Sequence, residues 1–418
     1  MKVLVIGSGG REHTLVWKLS QSKKVDKIYA IPGNGGMYEM AECYPLFDPE
    51  KDIDQIVKFA RENKVDLTVV GPEDPLSGGI VDAFQKNRLK VFGPIKKAAQ
   101  IEASKCFAKR IMNQNNVPTG RFAVFADLKK ALTHIKTIKY PTVIKADGLA
   151  KGKGVFIVNT FSQAKNVLDD IMKKKAFGPA GEKVVIEEFL QGKETTVLGF
   201  SDGHTVSLMP LSRDYKRLKD HNKGPNTGGM GAFAPVRIPG RELQYIKDKI
   251  FLPTLRGLEK EGAKYKGVLY AGLIKTDEGY KVLEFNCRFG DPETQVVLPL
   301  LKTDLVDILM AVIEEKLDKI KIKWKKRTCI AVVMASGGYP GKYEKGIRIS
   351  GLRGKKEPGV MIFHAGTKVK DNVCCTNGGR VLNVTAVART FEKASKMAYN
   401  AMKDIYFKGM VFRKDIGS

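Results

Sequence analysis

The sequence predicts a multidomain protein that combines α/β and α+β domains. Over the first part of the chain, short apolar strands alternate with helical patterns, which is typical of a parallel sheet wound with helices. The pattern changes at Ser104 to a helix and a compact strand-rich unit, and it restarts with the apolar strand Cys329–Ala335. We therefore expect an N-terminal parallel α/β domain over 1–103, a central domain over 104–325 with a small lid subdomain at about 121–191, and a small C-terminal α+β domain over 326–418.

The first turn of the N-terminal domain predicts an anion site. The expected strands are Lys2–Ile6, Lys27–Ile31, Leu67–Gly71 and Lys90–Phe92, with helices near 11–21, 51–63 and 78–87. After the first strand comes Gly7-Ser8-Gly9-Gly10-Arg11-Glu12, which is similar to a dinucleotide fingerprint except that Glu12 stands in place of the third glycine. Backbone amides at a helix N-terminus attract anions, and Arg11 adds positive charge. A phosphorylated substrate fits this turn as well as a dinucleotide does.

A loop rich in glycine and lysine predicts phosphate contacts in the central domain. The expected elements are a helix over Lys105–Asn116, strands at 121–125, 141–147, 154–158 and 183–190, and helices near 127–139 and 161–174. The segment from Lys145 to Gly154 predicts a strand, a loop and a second strand, and such a loop can close over phosphates. It is not a Walker A loop, because Gly154 stands where Ser or Thr should hold magnesium. A plain hairpin with a glycine tip is the alternative.

A row of polar side chains in the segment Gly279–Arg288 predicts a metal site. If this segment is a strand, Leu283, Phe285 and Cys287 enter a core, while Glu284, Asn286 and Arg288 line the opposite surface. Magnesium prefers hard oxygen ligands and takes one or two of them from the protein when phosphates supply others. Arg288 could clamp an anionic substrate beside the metal. The alternative is a half-exposed strand with ordinary polar residues outside.

Composition indicates a soluble, cytoplasmic protein of enzyme size. The 418 residues are 43% apolar, which excludes a wholly disordered chain. No run of about 18 uncharged apolar residues occurs, and the first residues lead directly into a strand rather than a signal peptide. The six cysteines form no C-x-x-C pair, so we interpret them as free thiols rather than zinc ligands.

The charge raises the question of nucleic-acid or membrane binding. The chain has 72 Lys plus Arg against 45 Asp plus Glu, a net charge of +27. The lysines are nevertheless spread over the whole chain. Their densest cluster, Lys316–Arg327, alternates with Ile320, Ile322 and Trp324, a pattern that predicts an edge strand protected by lysines. We expect no membrane partner and no specific nucleic-acid partner.

Several motifs together resemble the phosphoribosylamine–glycine ligase (glycinamide ribonucleotide synthetase) family of ATP-grasp ligases. The resemblance runs from Met1 to about Gly417. Its motifs are Gly7-Ser8-Gly9-Gly10-Arg11-Glu12-His13, Gly71-Pro72-Glu73-Asp74-Pro75-Leu76, Ile144-Lys145-Ala146-Asp147-Gly148-Leu149-Ala150, Gly224-Pro225-Asn226-Thr227-Gly228-Gly229-Met230-Gly231, Arg288-Phe289-Gly290-Asp291-Pro292-Glu293 and Thr376-Asn377-Gly378-Gly379-Arg380-Val381-Leu382. The fourth and fifth motifs are specific to this family among ATP-grasp enzymes, whereas the lysine and its loop would also fit carboxylases.

This resemblance implies an ATP-grasp central domain and an ATP-dependent ligation in the second step of de novo purine (IMP) biosynthesis. Glycine's carboxylate would attack the γ-phosphate of ATP to form glycyl phosphate, and the nitrogen of 5-phosphoribosylamine would then displace phosphate. The products would be glycinamide ribonucleotide, ADP and phosphate, with no protein nucleophile. The family further implies Mg²⁺ or Mn²⁺ with the ATP, and we expect a monomer or weak dimer.

The resemblance also assigns site residues. The implied ATP contacts are Lys105, Lys145, Gly148, Lys151, Gly152, Lys153, Gly154, Glu187, Glu188, Phe189, Leu190 and Glu194. The implied metal ligands are Glu284 and Asn286. The candidates for binding glycine and phosphoribosylamine are Gly9, Gly10, Arg11, Glu12, Asp214, Asn226, Thr227, Gly228, Gly229, Arg288, Gly290 and Asp291. Among all of these, Lys145, Arg288 and Asp214 are expected to act in catalysis, and Asp214 could pair with glycine's ammonium group.

Three other functions remain possible on the sequence alone. A different ATP-grasp ligase, such as a phosphoribosyl-aminoimidazole carboxylating enzyme, would keep Lys145 and the metal row but would give no reason for the segment Asn226–Gly231. An oxidoreductase would rest only on the turn Gly7–Gly10. A nucleic-acid-binding protein would rest only on the net charge and would bind with a steep salt dependence.

Overall fold

The N-terminal unit contains a parallel five-stranded sheet, as the sequence predicts. The computed structural model describes residues 1–149, 154–352, 354 and 357–417. The strands are β1 (Lys2–Gly7), β2 (Lys27–Pro32), β3 (Glu42–Cys43), β4 (Leu67–Val70) and β5 (Val91–Phe92). They pair in the order β3-β2-β1-β4-β5, and all neighbours are parallel. The residues from Val3 to Ile6 are fully buried, which fits a sheet covered on both faces.

Helices follow these strands, and two of the loops between them lie at one edge of the sheet. They are α1 (Gly10–Leu19), α2 (Ile53–Glu62), α3 (Glu73–Gly78), α4 (Ile80–Lys86) and α5 (Lys96–Ala103). Because β1 and β4 are parallel neighbours, the turn after Gly7 and the turn after Val70 leave the sheet at the same edge. Glu73, at the start of α3, is therefore close to the first turn of α1.

The lid subdomain is a four-stranded antiparallel sheet with two helices. Its elements and the helix before it are α6 (Lys105–Gln114), β6 (Phe122–Phe125), α7 (Leu128–His134), β7 (Thr142–Ala146), β8 (Val155–Val158), α8 (Phe161–Leu168) and β9 (Val184–Glu188). The strand order is β6-β9-β7-β8. A π-helical turn, Asp169–Lys173, continues α8 to nearly the end of the predicted helix. Ile144, Val184 and Ile186 pack in a separate small core.

The rest of the central unit contains a second antiparallel sheet. The elements from residue 193 to 286 are β10 (Lys193–Ser201), β11 (Val206–Leu208), β12 (Arg213–Asp214), β13 (Arg217–Lys219), β14 (Lys223–Asn226), β15 (Gly231–Ala234), α9 (Gly240–Ile246), α10 (Leu252–Lys260), β16 (Gly267–Thr276) and β17 (Gly279–Asn286). The order in this sheet is β11-β10-β16-β17. A π-helical turn, Lys247–Phe251, joins α9 to α10, so a nearly continuous helix lies where one was predicted.

A β-bulge in β17 changes the predicted pattern of buried and exposed residues. Gly272 pairs with Glu284 while the next residue, Leu273, pairs with Val282, so Leu283 has no partner on β16. The predicted burial of Leu283 is therefore wrong: this residue is half-buried, and Val282 is fully buried instead. The predictions that Phe285 and Cys287 are buried are confirmed.

The C-terminal unit shares its sheet with strands from the middle of the chain. The remaining elements are α11 (Thr294–Val297), α12 (Leu305–Ile313), β18 (Thr328–Ala335), β19 (Val360–His364), β20 (Thr367–Lys370), β21 (Val373–Thr376), β22 (Arg380–Ala388) and α13 (Phe391–Met402). The sheet order is β12-β15-β18-β22-β19. Two of its five strands, β12 and β15, thus precede residue 325, where we expected the boundary between the central and C-terminal domains.

The structure also describes the lysine-rich cluster and the helices that could be compared with a membrane span. The lysine-rich cluster Lys316–Arg327 is not an edge strand, so that prediction is wrong: it contains a short 3₁₀ turn and a single bridge between Trp324 and Leu301. Ile322 and Trp324 are nevertheless partly buried against the core. Across the described ranges, no helix has both the length and the apolar character needed to cross a bilayer.

Candidate functional site

Two lysines from different elements face the start of the predicted phosphate loop. Ser104 caps α6 by accepting a hydrogen bond from the Phe107 amide at 3.0 Å, and this fixes Lys105 in the first turn of the helix. The Lys105 ammonium donates to the carbonyl of Gly148 at 2.8 Å. Burial lowers the pKa of Lys105 despite the nearby Glu284 carboxylate. Of the loop itself, Lys151, Gly152 and Lys153 lie outside the described residues.

Lys145 lies in the cleft between the lid sheet and the central sheet, where its own strand and the bulge of β17 hold it. It lies on β7, and its ammonium donates to the carbonyl of the bulged residue Leu283 at 3.0 Å. It also contacts the buried carboxylate of Glu187 at 2.8 Å, and Lys109 contacts that carboxylate from the other side at 2.7 Å. Glu187, predicted to hold adenosine, therefore also fixes the position of Lys145.

The predicted metal ligands lie on one face of β17. Glu284 and Asn286 are two residues apart, and opposite Glu284 stands Gly272, where a Cβ would approach the Glu284 side chain to 3.2 Å. Burial raises the pKa of Glu284, but Lys216, Lys145, Lys105 and Arg288 outweigh it and hold this pKa below its usual value. The carboxylate is thus ionised and 43% exposed to the cleft, as a metal ligand requires.

These two oxygen donors fit a divalent cation that shares its coordination with phosphates. In the described part of the chain, no three His, Cys, Asp or Glu side chains gather into a metal site of their own. One carboxylate and one carboxamide are, however, the number and kind of protein ligands that suit magnesium bound to a nucleotide. The surrounding lysines would contact the same phosphates.

Arg288 is less free than the sequence indicated. Its guanidinium donates to Glu73 at 3.0 Å, contacts Glu102 at 3.0 Å, and reaches the Asn286 side-chain oxygen at 3.3 Å. Only 16% of the side chain is exposed. Two carboxylates from the N-terminal unit thus position Arg288, and through it Asn286, so Arg288 joins two units of the chain as well as facing the cleft.

The pair between Arg288 and Glu73 predicts a specific loss of stability in acid. Burial opposes ionisation of Glu73, but Arg288 and Arg11 lower its pKa to about 2 from 4.5. A depressed carboxyl pKa stabilises the fold above pH 4.5, and the contribution is lost as the pH falls towards 2. The difference corresponds to about 3 kcal/mol. We expect Glu73→Gln to be less stable at pH 7 and to lose less stability on acidification, as measured by urea unfolding.

A matched control for this measurement is Glu62→Gln. Glu62 is 61% exposed and faces Lys58 one helical turn away, so its substitution should leave the pH profile unchanged. Equal acid sensitivity of the wild type and Glu73→Gln would contradict the prediction.

Carboxylates occupy the predicted anion site at the first turn. The Gly9 amide donates to Glu12 at 2.6 Å, and the Arg11 amide donates to Asp291 at 3.3 Å. The Arg11 guanidinium is buried against Glu12 and the carbonyl of Phe289. Glu12 therefore fills the place where a dinucleotide fingerprint leaves room for pyrophosphate, which disfavours the oxidoreductase alternative.

Arg380 joins three parts of the chain. It lies in the C-terminal unit and contacts both the loop after β17 and the turn Gly228–Gly229. Arg380, at the start of β22, donates to the carbonyls of Gly228 at 2.6 Å and Asp291 at 2.8 Å. Gly229 has φ +111°, and a Cβ there would lie 2.5 Å from Pro292, so only glycine suits this contact. Burial opposes ionisation of Asp291, but Arg380 and Arg11 lower its pKa, so its charge persists.

The remaining predicted ATP residues lie along the strand β9 and beyond it. Glu188 accepts hydrogen bonds from the Arg121 amide and side chain, both at 2.9 Å. Phe189 and Leu190 are half-buried after the end of β9, and Glu194 is exposed on β10. Gly154 precedes β8, and its carbonyl accepts from the Ala146 amide at 2.9 Å. These residues thus lie between the lid sheet and the start of the central sheet.

The basic segment from Lys216 to Lys223 forms part of an ordered hairpin. Strands β13 and β14 pair with each other, and Arg413 donates to the carbonyl of Arg217 and to the Asn222 side chain, each at 3.1 Å. Asn226 is the last residue of β14, and the hydroxyl of Thr227, which follows it, donates to the Lys216 carbonyl at 2.7 Å. This hairpin aims the Lys216 ammonium into the site, 4.0 Å from Glu284 and 3.6 Å from Glu194.

Sequence reasoning did not identify several residues that the fold brings to the site. These are Glu73, Glu102, Lys109, Lys216, Tyr270, Glu293 and Arg380. Glu73, Glu293 and Arg380 stand inside quoted motifs, and that signal could have marked them. Lys109 and Tyr270 lie in an ordinary helix and an ordinary strand, and they have no comparable signal.

Family models cover the chain in three consecutive segments. Residues 1–102 match the N domain of phosphoribosylglycinamide synthetase, 103–294 match its ATP-grasp (A) domain, and 329–418 match its C domain. The chain belongs to the phosphoribosylglycinamide synthetase family. The predicted resemblance, the fold class and the ATP-grasp architecture of the central unit are thereby confirmed.

Individual relatives in the phosphoribosylglycinamide synthetase family agree with this assignment over the full length. A phosphoribosylamine–glycine ligase of Caldanaerobacter subterraneus is 51% identical, with all of both chains covered. The trifunctional purine biosynthetic protein adenosine-3 of Gallus gallus is 47% identical over all of this chain, which spans 42% of that longer protein. The crystal structure of phosphoribosylamine–glycine ligase from Thermotoga maritima has a TM-score of 0.88 at 34% identity, with all of both chains covered.

A more distant likeness concerns the fold alone. The biotin carboxylase domain of the 2-oxoglutarate carboxylase of Hydrogenobacter thermophilus, solved with MgADP, has a TM-score of 0.74 at 16% identity. That alignment covers 98% of this chain and 91% of the other. The ATP-grasp fold implies use of ATP with a divalent metal.

Proposed function

We propose that the chain ligates glycine to 5-phosphoribosylamine with ATP, giving glycinamide ribonucleotide, ADP and phosphate. The observation that carries this proposal is that residues from three separate family motifs contact one another at one cleft. Gly228 and Asp291 come from the two most specific motifs, and Arg380 from a third, and all three are in contact. A second ATP-grasp activity would need the lysines and Glu284 but not this arrangement.

The reaction requires two displacements, and the cleft supplies positive charge for the first. A carboxylate oxygen of glycine attacks the γ-phosphorus, the bond to the β-phosphate oxygen breaks, and ADP leaves. The ammonium groups of Lys145 and Lys105, which donate to the carbonyls of Leu283 and Gly148, would stabilise the charge of the transferring phosphoryl group. A divalent cation at Glu284 and Asn286, magnesium or manganese, would neutralise phosphate charge when bound.

The second displacement forms the amide. The amine of phosphoribosylamine attacks the carbonyl carbon of glycyl phosphate, the bond to the phosphate oxygen breaks, and the nitrogen loses a proton. Nothing in this step requires a protein nucleophile, so positioning of the amine is the main requirement. We assign this role to the turn Asn226–Gly229 and to Asp291.

The proposal is tested by ADP release with ATP, Mg²⁺, glycine and freshly generated phosphoribosylamine, with each component omitted in turn. We expect turnover to require all of them and the product to have the mass of glycinamide ribonucleotide. Turnover with bicarbonate in place of glycine would instead favour a carboxylating activity. Replacement of Mg²⁺ by Mn²⁺ in the same assay identifies which metal supports the reaction.

A further inference from the structure

A buried lysine outside the lid contacts the same carboxylate as Lys145. Lys109 lies on α6, four residues after Lys105, so the helical period places both lysines on the face of α6 that looks towards the lid. The Lys109 ammonium is 2.7 Å from one oxygen of Glu187, and the Lys145 ammonium is 2.8 Å from the other. None of these three contacting side chains is more than 10% exposed, so their charges act on one another with little screening by water.

The same ammonium also connects the root of the lid to the central sheet. Lys109 donates to the Thr119 hydroxyl at 2.7 Å, and that hydroxyl donates to the carbonyl of Val282 at 2.7 Å. Thr119 and Val282 also form a parallel backbone bridge, just before the lid begins. The next residue is the bulged Leu283, whose carbonyl accepts from Lys145. The two lysines are therefore anchored on consecutive carbonyls of β17, one through Thr119 and the other directly.

Lys145 is attracted by Glu187 without being aligned to it. In the described part of the chain, the Glu187 oxygen that Lys145 approaches has no hydrogen-bond partner, although the two atoms are 2.8 Å apart. The directed hydrogen bond of Lys145 goes to the Leu283 carbonyl instead. Burial lowers the pKa of Lys109 and the charge of Lys145 adds to this effect, whereas Glu187 opposes it. The remaining N–H groups of Lys145 can therefore turn towards another anion.

The charges around Glu187 leave one positive charge in excess. One carboxylate faces two ammonium groups, and the neighbouring Glu188 does not change this balance because Arg121 compensates it at 2.9 Å. With Lys109 present, Glu187 stays paired when Lys145 turns towards a phosphate. Without Lys109, the same movement would leave a buried carboxylate with no partner, which is strongly unfavourable. Lys109 therefore decides how freely Lys145 can leave Glu187.

We propose that Lys109 is a positioning residue of the ligase, which keeps Glu187 paired so that the Lys145 ammonium can bind the phosphates of ATP. Lys109 is buried on α6, so it acts through Glu187 and Lys145 and contacts no substrate itself. Through Thr119 it also holds this arrangement against β17, at the point where the chain enters the lid. The assignment rests on the proposed function only in that the protein uses ATP.

The first test is nucleotide binding by Lys109→Met. Methionine keeps most of the length of the side chain and removes its charge. We expect the dissociation constant of a non-hydrolysable ATP analogue with Mg²⁺, measured by equilibrium dialysis, to rise about 10- to 100-fold, which corresponds to one charge-assisted hydrogen bond. The steady-state KM for ATP should rise in parallel. The KM for glycine should stay within about twofold, because no contact with glycine is lost.

The substitution Glu187→Gln separates positioning from packing. In that background Lys145 has no buried carboxylate to leave, so Lys109 has nothing to compensate. We expect Lys109→Met to raise the dissociation constant by no more than about twofold when Glu187→Gln alone is the reference. Any nucleotide contact of Glu187 itself cancels in this comparison. An equal rise in both backgrounds would show that Lys109 acts by packing and would reject the proposal.

A matched control is Lys18→Met. Lys18 is also a buried lysine on a helix, but it belongs to α1, and its ammonium donates to the Leu301 carbonyl at 2.8 Å. Its substitution removes a buried ammonium in the same way and should leave nucleotide binding unchanged. If Lys109→Met does not fold, Lys109→Gln keeps a hydrogen-bond donor without the charge and should show the same weaker binding. Normal affinity in Lys109→Gln would then reject the proposal.

The outcomes separate this inference from the proposed function. Failure of the wild type to form glycinamide ribonucleotide, with normal binding of the ATP analogue, would reject the function, and dialysis would still decide the role of Lys109. Product formation by the wild type together with an unchanged dissociation constant in Lys109→Met would reject only the positioning role. A parallel rise of the KM for glycine and for ATP in Lys109→Met would likewise reject it, since that result indicates a general structural defect.

Discussion

Lys145→Met should lower kcat by about 100- to 1,000-fold, because one preorganised positive group at the transferring phosphoryl group is lost. The ammonium of Lys145 is fixed by the Leu283 carbonyl and by Glu187, so it needs little reorganisation during the reaction. Methionine has similar length and fills the same space. The buried Glu187 carboxylate would keep its contact with Lys109, and the fold should therefore survive the substitution. ADP release and the thermal midpoint of unfolding are the measurements.

The control for Lys145→Met is Lys275→Met. Lys275 lies on β16, is exposed, and pairs with Glu242 on the surface. Its loss should change kcat by less than about twofold, as expected for an exposed ion pair. A Lys145→Met enzyme with kcat within threefold of the wild type would show that Lys105 and the metal suffice.

Glu284→Gln should weaken binding of the divalent cation by about 100-fold or more, because it removes the charged ligand of a site with two protein donors. The amide keeps one oxygen donor, so the effect isolates the charge. Lys216 would lose a carboxylate partner at 4.0 Å but keep Glu194. The concentration of Mg²⁺ that gives half-maximal ADP release measures the effect on turnover, and paramagnetic resonance of Mn²⁺ with ADP measures binding directly.

Glu278→Gln provides the comparison for Glu284→Gln. Glu278 lies in the turn before β17, is 78% exposed and pairs with Lys281, so the substitution has the same chemistry on the same hairpin. We expect unchanged metal dependence. An unchanged Mn²⁺ affinity in Glu284→Gln would contradict the assignment of Glu284 as a metal ligand.

Local sequence patterns predicted most of the elements and the charged side chains that line the cleft. The period of two in β17 placed Glu284 and Asn286 on one face, and the apolar strand around Lys145 placed this lysine on β7. The bulge at Leu283 was missed because it depends on how β17 pairs with β16, and no residue in the segment marks it. Its effect is functional, since the displaced carbonyl of Leu283 accepts a hydrogen bond from Lys145.

The partners of the site residues were harder to predict than the residues themselves. Arg288 appeared free to clamp a substrate, whereas Glu73 and Glu102, which hold it, are far away in the sequence. Glu293 stood next to recognised residues, but only the packing of Thr196 and Tyr270 reveals that it is buried. Such contacts depend on tertiary packing, which periodicity and composition do not encode.

The shared sheet of the C-terminal unit has a consequence for synthesis of the chain. Strand β12 carries Asp214 and pairs with β15, whose other neighbour is β18, and β18 in turn pairs with β22. The residues of β18 and β22 leave the ribosome more than a hundred positions after Asp214. A nascent chain that ends near residue 325 would contain the whole lid and the candidate metal ligands Glu284 and Asn286. The strands β12 and β15 next to Asp214 would still lack their neighbour β18. The edge of the site around Asp214 can therefore be completed only after β18 and β22 have been synthesised, whereas the nucleotide half of the site can form earlier.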